Sequence, residues 1–312
     1  MSNLTQRILT AIVAIPIIIL ICMAGGLYFF LFVAAASAIA LIEFYKLASA
    51  KGAKPLVTIG VVAGFFVNLS FYQIKLQSYI VGLCTSLGMQ IPFPSQTQLF
   101  MIVLLLAVTV ISVIELFRNN GSALLNISAT VFGMMYISFF FGTFIGIREL
   151  FTIEDSTVAA YFYSAFSLNE AATVYRYGGL TVISIFVMIW ICDSAAFHFG
   201  KKMGKHKLFP RVSPNKSWEG AIFGFIFAIA SAVAAKYLVL DYLPVSGAVI
   251  IGIIVGIFGQ IGDLIESLLK RDAGVKDSST LIPGHGGAFD RFDSLLLVSP
   301  LVYLYLDFIF FN

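Results

Sequence analysis

The 312-residue chain is 60% hydrophobic and only 11% charged, with a formal net charge of +3. An ordinary soluble domain carries roughly a quarter charged residues, so this composition excludes a soluble core with a polar coat. A bilayer accepts apolar side chains all round a helix, and about 20 such residues cross roughly 30 Å of hydrocarbon.

In chain order, the hydropathy pattern predicts nine spans, at 8–24, 27–47, 55–73, 98–117, 124–147, 177–200, 219–240, 245–270 and 292–311. The fold class is therefore all-α, a polytopic transmembrane helical bundle. Arg7 precedes the first apolar run and no small-residue cleavage site follows, so the run is expected to be a retained span and not a cleaved signal. Gly25-Gly26 marks the first turn. The segments 74–97 and 148–176 are longer and more polar, and read as caps or short interfacial helices. Cys22, Cys84 and Cys192 follow neither disulfide nor zinc spacing and read as small apolar fillers. Phe139, Phe140 and Phe141 read as packing or lipid-facing residues, and Trp218 as an interfacial anchor. Residues 1–176 are expected to form a scaffold. Residues 177–312 are expected to form the catalytic region, with cytoplasmic loops at 201–218 and 271–291.

Orientation follows from the cations. With the N-terminus in the cytoplasm, fifteen Lys and Arg residues fall inside, in the segments around 7, 46–54, 118, 201–216 and 270–291. Only Lys75, Arg148, Arg176 and Lys236 fall outside. This is the bias expected of inward-facing loops. Attraction to anionic headgroups accounts for the sign of the charge. It does not account for the acids, glycines and histidine interleaved with it.

Carboxylates at a span are costly and mark functional sites. Asp263, Glu266, Ser267 and Lys270 recur at helical spacing and line one face of the eighth span. The same spacing permits an internal ladder, Asp263 to Ser267 and Glu266 to Lys270. Asp290 and Asp293 lie one turn apart at the start of the ninth span, where the helix dipole also favours negative charge, and Asp290 is placed to cap that helix. Between these helix ends run Lys276, Asp277, Gly284, His285, Gly286 and Gly287; glycines there let backbone N–H groups approach an anion. Asp193, inside an otherwise apolar span, is a further candidate, whereas His198 reads as a helix-end histidine and Asp307 as an interfacial acid. Carboxylates from different helices suit a hard divalent cation such as Mg²⁺ that bridges to phosphates. Basic residues suit the rest of a polyphosphate. The residues thus indicate metal-assisted phosphate chemistry at the inner membrane surface, with nucleotide and lipid left open.

The stretch Ser267 to Asp293, SLLKRDAGVKDSSTLIPGHGGAFDRFD, resembles the defining motif of the phosphatidate cytidylyltransferases, also called CDP-diacylglycerol synthases. The likeness extends to CDSAAFHFGKKMGKHKL from Cys192, SPNKSWEG from Ser213 and GDLIES from Gly262, covering about residues 190–295, with weaker echoes at Gln6 and Glu43. Ala288 stands where a larger aliphatic residue is usual and Asn215 where a second lysine is common.

The resemblance implies a nine-helix bundle, a homodimer, and transfer of CMP from CTP to phosphatidic acid within the bilayer. It implies Asp263 and Asp290 as ligands of a Mg²⁺ centre shared with K⁺, with Asp293 and Glu266 as further ligands or immediate neighbours. The triphosphate would meet Lys270, Arg271, Lys276 and Arg291, with Ser213, Lys216 and Ser217 from the other loop and Asp277, Gly286 and Gly287 beside them. His285 would donate to a phosphate or to leaving pyrophosphate. The implied location is the inner (plasma) membrane, with the site facing the cytoplasm and no nucleic-acid partner. Two rivals are weighed against this. A CTP-dependent polyprenol-type lipid kinase has similar loops, whereas an ion-coupled transporter needs polar residues tracing a route across, and here they gather at one face.

Overall fold

The structure is a computed structural model. It describes residues 3–89, 92–168, 170–279 and 286–311, with side chains from residue 12 onward. The N-terminal half contains α1 (Asn3–Ala24), α2 (Gly26–Ala50), α3 (Val57–Ser70), α4 (Gln73–Ser86) and α5 (Gln96–Phe117). It continues through α6 (Ala123–Gly133), a π turn at Met134–Phe139, α7 (Phe140–Glu149) and α8 (Ser156–Phe166). The C-terminal half contains α9 (Ala171–Met203), a hairpin of β1 (Lys207–Phe209) and β2 (Ser213–Ser217), and α10 (Trp218–Leu238). Then come α11 (Val245–Ile254), a π turn at Val255–Gly259, α12 (Gln260–Asp272), α13 (Phe289–Leu304) and a terminal π turn at Tyr305–Phe310.

Among the described residues, seven helices are long and apolar enough to cross a membrane, or eight if α3 and α4 together form one span. This is close to the nine expected. Helix α1 runs Asn3–Ala24, and its part with described side chains, Ile12–Ala24, is apolar. The expected span at 55–73 ends early, because α3 stops at Ser70 and α4 departs at 84°. Fourteen helical residues reach only about 21 Å, short of the roughly 30 Å core. The segments expected as polar connections contain α4 and α8. Ser95 and Gln98 form a capping box at the start of α5, and Asp155 caps α8 through Thr157 and Val158.

The main core runs through α2, α7, α9 and α13, where Phe29, Phe44, Phe141, Phe144, Phe186 and Phe289 interlock. Helix α10 packs along α9, and α13 lies against α7, α12 and α2. The hairpin joins α9 to α10, with Lys207 opposite Ser217 and Phe209 opposite Ser213 in antiparallel register. Glu219 pins it by accepting hydrogen bonds from the backbone N–H groups of Lys205 and His206 and pairing with the His206 ring. These contacts bring the C-terminal ends of α9 and α12 and the N-terminal end of α13 around one cavity.

Candidate functional site

The sequence of α12 builds the first wall of this cavity. Its acids fall on one face because 3.6 residues make a turn, and the ladder permitted by spacing is present. Ser267 donates to Asp263 Oδ1 at 3.3 Å, and Lys270 Nζ lies 2.6 Å from Glu266 Oε2. Helix α13 supplies the second wall. It comes close because Gly262 carries no side chain: a Cβ there would lie 2.5 Å from the Asp293 carbonyl oxygen. The hairpin supplies Lys216, whose Nζ is 2.6 Å from Asp263 Oδ2.

Asp263, Glu266 and Asp293 each offer a carboxylate oxygen, all within 4.8 Å of one another. Three like charges so close repel unless a cation or protons compensate them. Glu266 is fully buried, so water cannot screen it. Among the described residues, the Asp293 carboxylate accepts a hydrogen bond from the backbone N–H of Ser294. An oxygen-only donor set with excess negative charge fits a hard divalent cation such as Mg²⁺. Asp263, Glu266 and Asp293 are the residues that would hold it.

Asp290 occupies the same cavity but a different role in the geometry. Its Oδ1 accepts from Lys270 Nζ at 2.7 Å. Its Oδ2 accepts from the backbone N–H groups of Gly287 at 2.8 Å and Ser278 at 3.0 Å, and from Ser278 Oγ at 2.9 Å. Both Asp290 oxygens are thus hydrogen-bonded, while the carboxylates that stand together are those of Asp263, Glu266 and Asp293. Lys270, expected at the triphosphate, sits between the carboxylates of Glu266 and Asp290.

The cavity measures about 860 Å³. Asp263, Glu266, Lys270, Asp277, Asp290, Arg291, Asp293, Lys216 and Ser217 all line it, so most of the residues singled out in the sequence converge. Ser217 also caps α10 by accepting from the Gly220 N–H. Ser213, Arg271, Lys276, Gly286 and Gly287 lie off the cavity wall. Arg271 is exposed and donates to the Val275 carbonyl, and Lys276 is exposed on the same loop. His285 lies outside the described residues.

The cavity adds residues that spacing alone does not assign. Asp193 faces it from α9, Lys201 and Lys207 stand at the hairpin side, and Phe186, Ile189 and Trp190 make an apolar flank. A buried acid absent from the motif, Glu43 of α2, reaches the same region and accepts hydrogen bonds from Ser278, Ala288 and Phe289. Its sequence signal is that it is the single acid in an otherwise apolar span.

Fold and site together define a class: a multi-pass helical membrane protein with a carboxylate centre where three of its long helices meet. The chain belongs to the cytidylyltransferase family, whose model matches residues 5–309. It is 31% identical over 306 residues, 98% of each chain, to the phosphatidate cytidylyltransferase of Bacillus subtilis strain 168. A stretch of 121 residues is 46% identical to the phosphatidate cytidylyltransferases of Staphylococcus haemolyticus JCSC1435 and Staphylococcus aureus COL, covering 39% of this chain and 46% of theirs.

Proposed function

We propose that the protein transfers the cytidylyl group of CTP to phosphatidic acid, giving CDP-diacylglycerol and pyrophosphate for phospholipid synthesis. One observation carries the reading within the family. Three converging carboxylates lie beside Lys216, Lys270 and Arg291 in a cavity whose other flank, Phe186, Ile189 and Trp190, is apolar. Such a site matches a substrate pair that is part polyphosphate, part lipid.

The phosphatidate oxygen is already anionic at neutral pH, so its attack on the α-phosphorus of CTP needs no general base. One P–O bond forms, the bond to the β-phosphate oxygen breaks, and pyrophosphate leaves in line. A bound Mg²⁺ supplies Lewis-acid stabilisation of phosphate charge; K⁺ as a companion ion is part of the reading drawn from the family resemblance. The chain's own groups bind and orient. Arg291, Lys201 and Lys207 neutralise phosphate oxygens, while Lys216 holds Asp263 and Lys270 holds Glu266 and Asp290 in place. The apolar flank takes the start of the acyl chains and keeps bulk water away. His285, Arg271, Lys276, Ser213 and the loop positions Asp277, Gly286 and Gly287 belong to the same proposed nucleotide site.

The excess of Lys and Arg on one set of loops supports an N-terminus and a site that face the cytoplasm, in the plasma membrane of the cell. The same reading takes residues 177–312 as the catalytic region on a scaffold formed by 1–176, and a homodimer as the assembly.

The test is purified protein with phosphatidate, Mg²⁺ and CTP labelled at either the α- or the γ-phosphate. Appearance of α-label in a liponucleotide, with γ-label in pyrophosphate, is the expected result. Entry of γ-label into lipid would instead identify a lipid kinase and overturn the proposal.

A further inference from the structure

Glu43 is 2% exposed and sits on α2, far in sequence from the 190–295 stretch that supplies the other site residues. Its carboxylate makes no ion pair among the described residues, yet it is well solvated by the protein. Oε2 accepts from Ser278 Oγ at 3.0 Å and from the Phe289 N–H at 2.8 Å. Oε1 accepts from Ser279 Oγ at 2.5 Å and from the Ala288 N–H at 3.2 Å. One side chain therefore holds the chain on both sides of the segment joining α12 to α13. Two of its donors are backbone N–H groups at the start of α13, where a negative charge is favoured. No side chain from the residue preceding α13 caps it. Glu43 does so from another helix.

The grip extends to the site through Ser278, whose single hydroxyl proton is shared between Glu43 Oε2 at 3.0 Å and Asp290 Oδ2 at 2.9 Å. Gly287 records how close the approach is: a Cβ there would stand 2.1 Å from Ser278 Oγ and 2.4 Å from Glu43 Oε2. A carboxylate is the group suited to this position, because four donors converge on two oxygens and an amide presents N–H donors of its own to two of them.

We propose that Glu43 is a positioning residue for cytidylyl transfer. It clamps Ser278 and Ser279 to Ala288 and Phe289 so that Asp290 meets Lys270 and the first turn of α13 presents Arg291 and Asp293 to the cavity. The N-terminal half thereby takes part in setting the site. The inference rests on the proposed activity for its kinetic consequence but not for its structural one.

The experiment compares wild type with Glu43→Gln, Ser278→Ala and the double variant in detergent, reading steady-state kinetics and amide hydrogen exchange of the 286–292 peptide. Glu43→Gln is expected to lower kcat by about 30-fold with the KM for phosphatidate within twofold, and to speed exchange at Ala288 and Phe289. The double variant is expected to be no worse than the poorer single variant, because both break one chain of contacts. Glu43→Asp, which keeps the charge, should recover part of kcat. If Glu43→Gln does not fold, Ser279→Ala should loosen the same peptide with a smaller fall in kcat. Unchanged exchange would overturn the clamp; faster exchange with unchanged kcat would reduce Glu43 to a structural residue. A wild-type protein that makes no liponucleotide would refute the proposed activity while the exchange result still judges the clamp.

Discussion

Buried charge occurs at both ends of α9, and the two places are built in opposite ways. Near its start, Arg148 is fully buried with its guanidinium 4.1 Å from the centre of the Tyr175 ring. It donates to the carbonyls of Cys22, Met23 and Tyr175 at 2.6, 3.0 and 3.3 Å. The neighbouring Glu149 accepts from the Gly26 N–H and the Tyr175 hydroxyl. Arg148 thus satisfies the open carbonyls at the end of α1, and it does not line the carboxylate cavity. Eighteen residues along α9, about 27 Å away, Asp193 faces the cavity where Asp263, Glu266 and Asp293 crowd together. Here negative charge gathers around open space. Burial of charge is common to both places; what sets the second apart is convergence of like charges on a volume that a ligand can enter.

Four substitutions sharpen this contrast, beginning with the largest effect. Asp293→Asn should reduce kcat by about a thousandfold, equivalent to ~4 kcal/mol of transition-state stabilisation. The same change relieves like-charge repulsion, so thermal unfolding in detergent should shift upward or not at all; a normal rate would detach the acidic group from catalysis. Arg148→Met should do the reverse. Leaving three carbonyls without their donor is expected to lower stability by about 3 kcal/mol. Specific activity of the folded fraction should stay within twofold, and a selective loss of kcat there would erase the distinction between the two places.

Smaller effects probe the edges of the site. Gly287→Ala forces Ser278 or Glu43 to move, and roughly a tenfold loss of kcat is expected, or about 1.4 kcal/mol. An unaltered rate would show that the segment tolerates a side chain at this approach. Lys201→Ala, at the exposed hairpin side of the cavity, should raise the KM for CTP about threefold in low salt, with the difference fading near ~0.5 M salt as screening takes over. A salt-independent change would mean that Lys201 does not act by long-range attraction.

Much of this molecule is visible in the chain itself. Apolar runs of span length locate the long helices, because a bilayer imposes a minimum length on any helix that crosses it. Exceptions arise where a local break interrupts hydropathy, as between Ser70 and Gln73. The acidic face of α12 is equally plain, since residues one turn apart must share a side. Partner choice was less accessible. Asp290 and Asp293 look equivalent as an acidic pair at a helix start, yet Asp290 is tied to Lys270, Ser278 and Gly287 while Asp293 joins Asp263 and Glu266. Which of the two turns toward the cluster depends on how α13 is rotated against α12, and a close approach at Gly262 governs that packing.

From the order of residues alone came the membrane class, the family motif and the set of carboxylates and cations brought to one end of the bundle, because these depend on length, periodicity and local spacing. Tertiary structure decided which carboxylates stand together, which lysine lies between two acids, and that Glu43 reaches Ser278, Ala288 and Phe289. The reason is physical: a hydrogen bond reaches about 3 Å, and bringing residues 43 and 289 within that distance is the work of helix packing, on which local sequence spacing is silent.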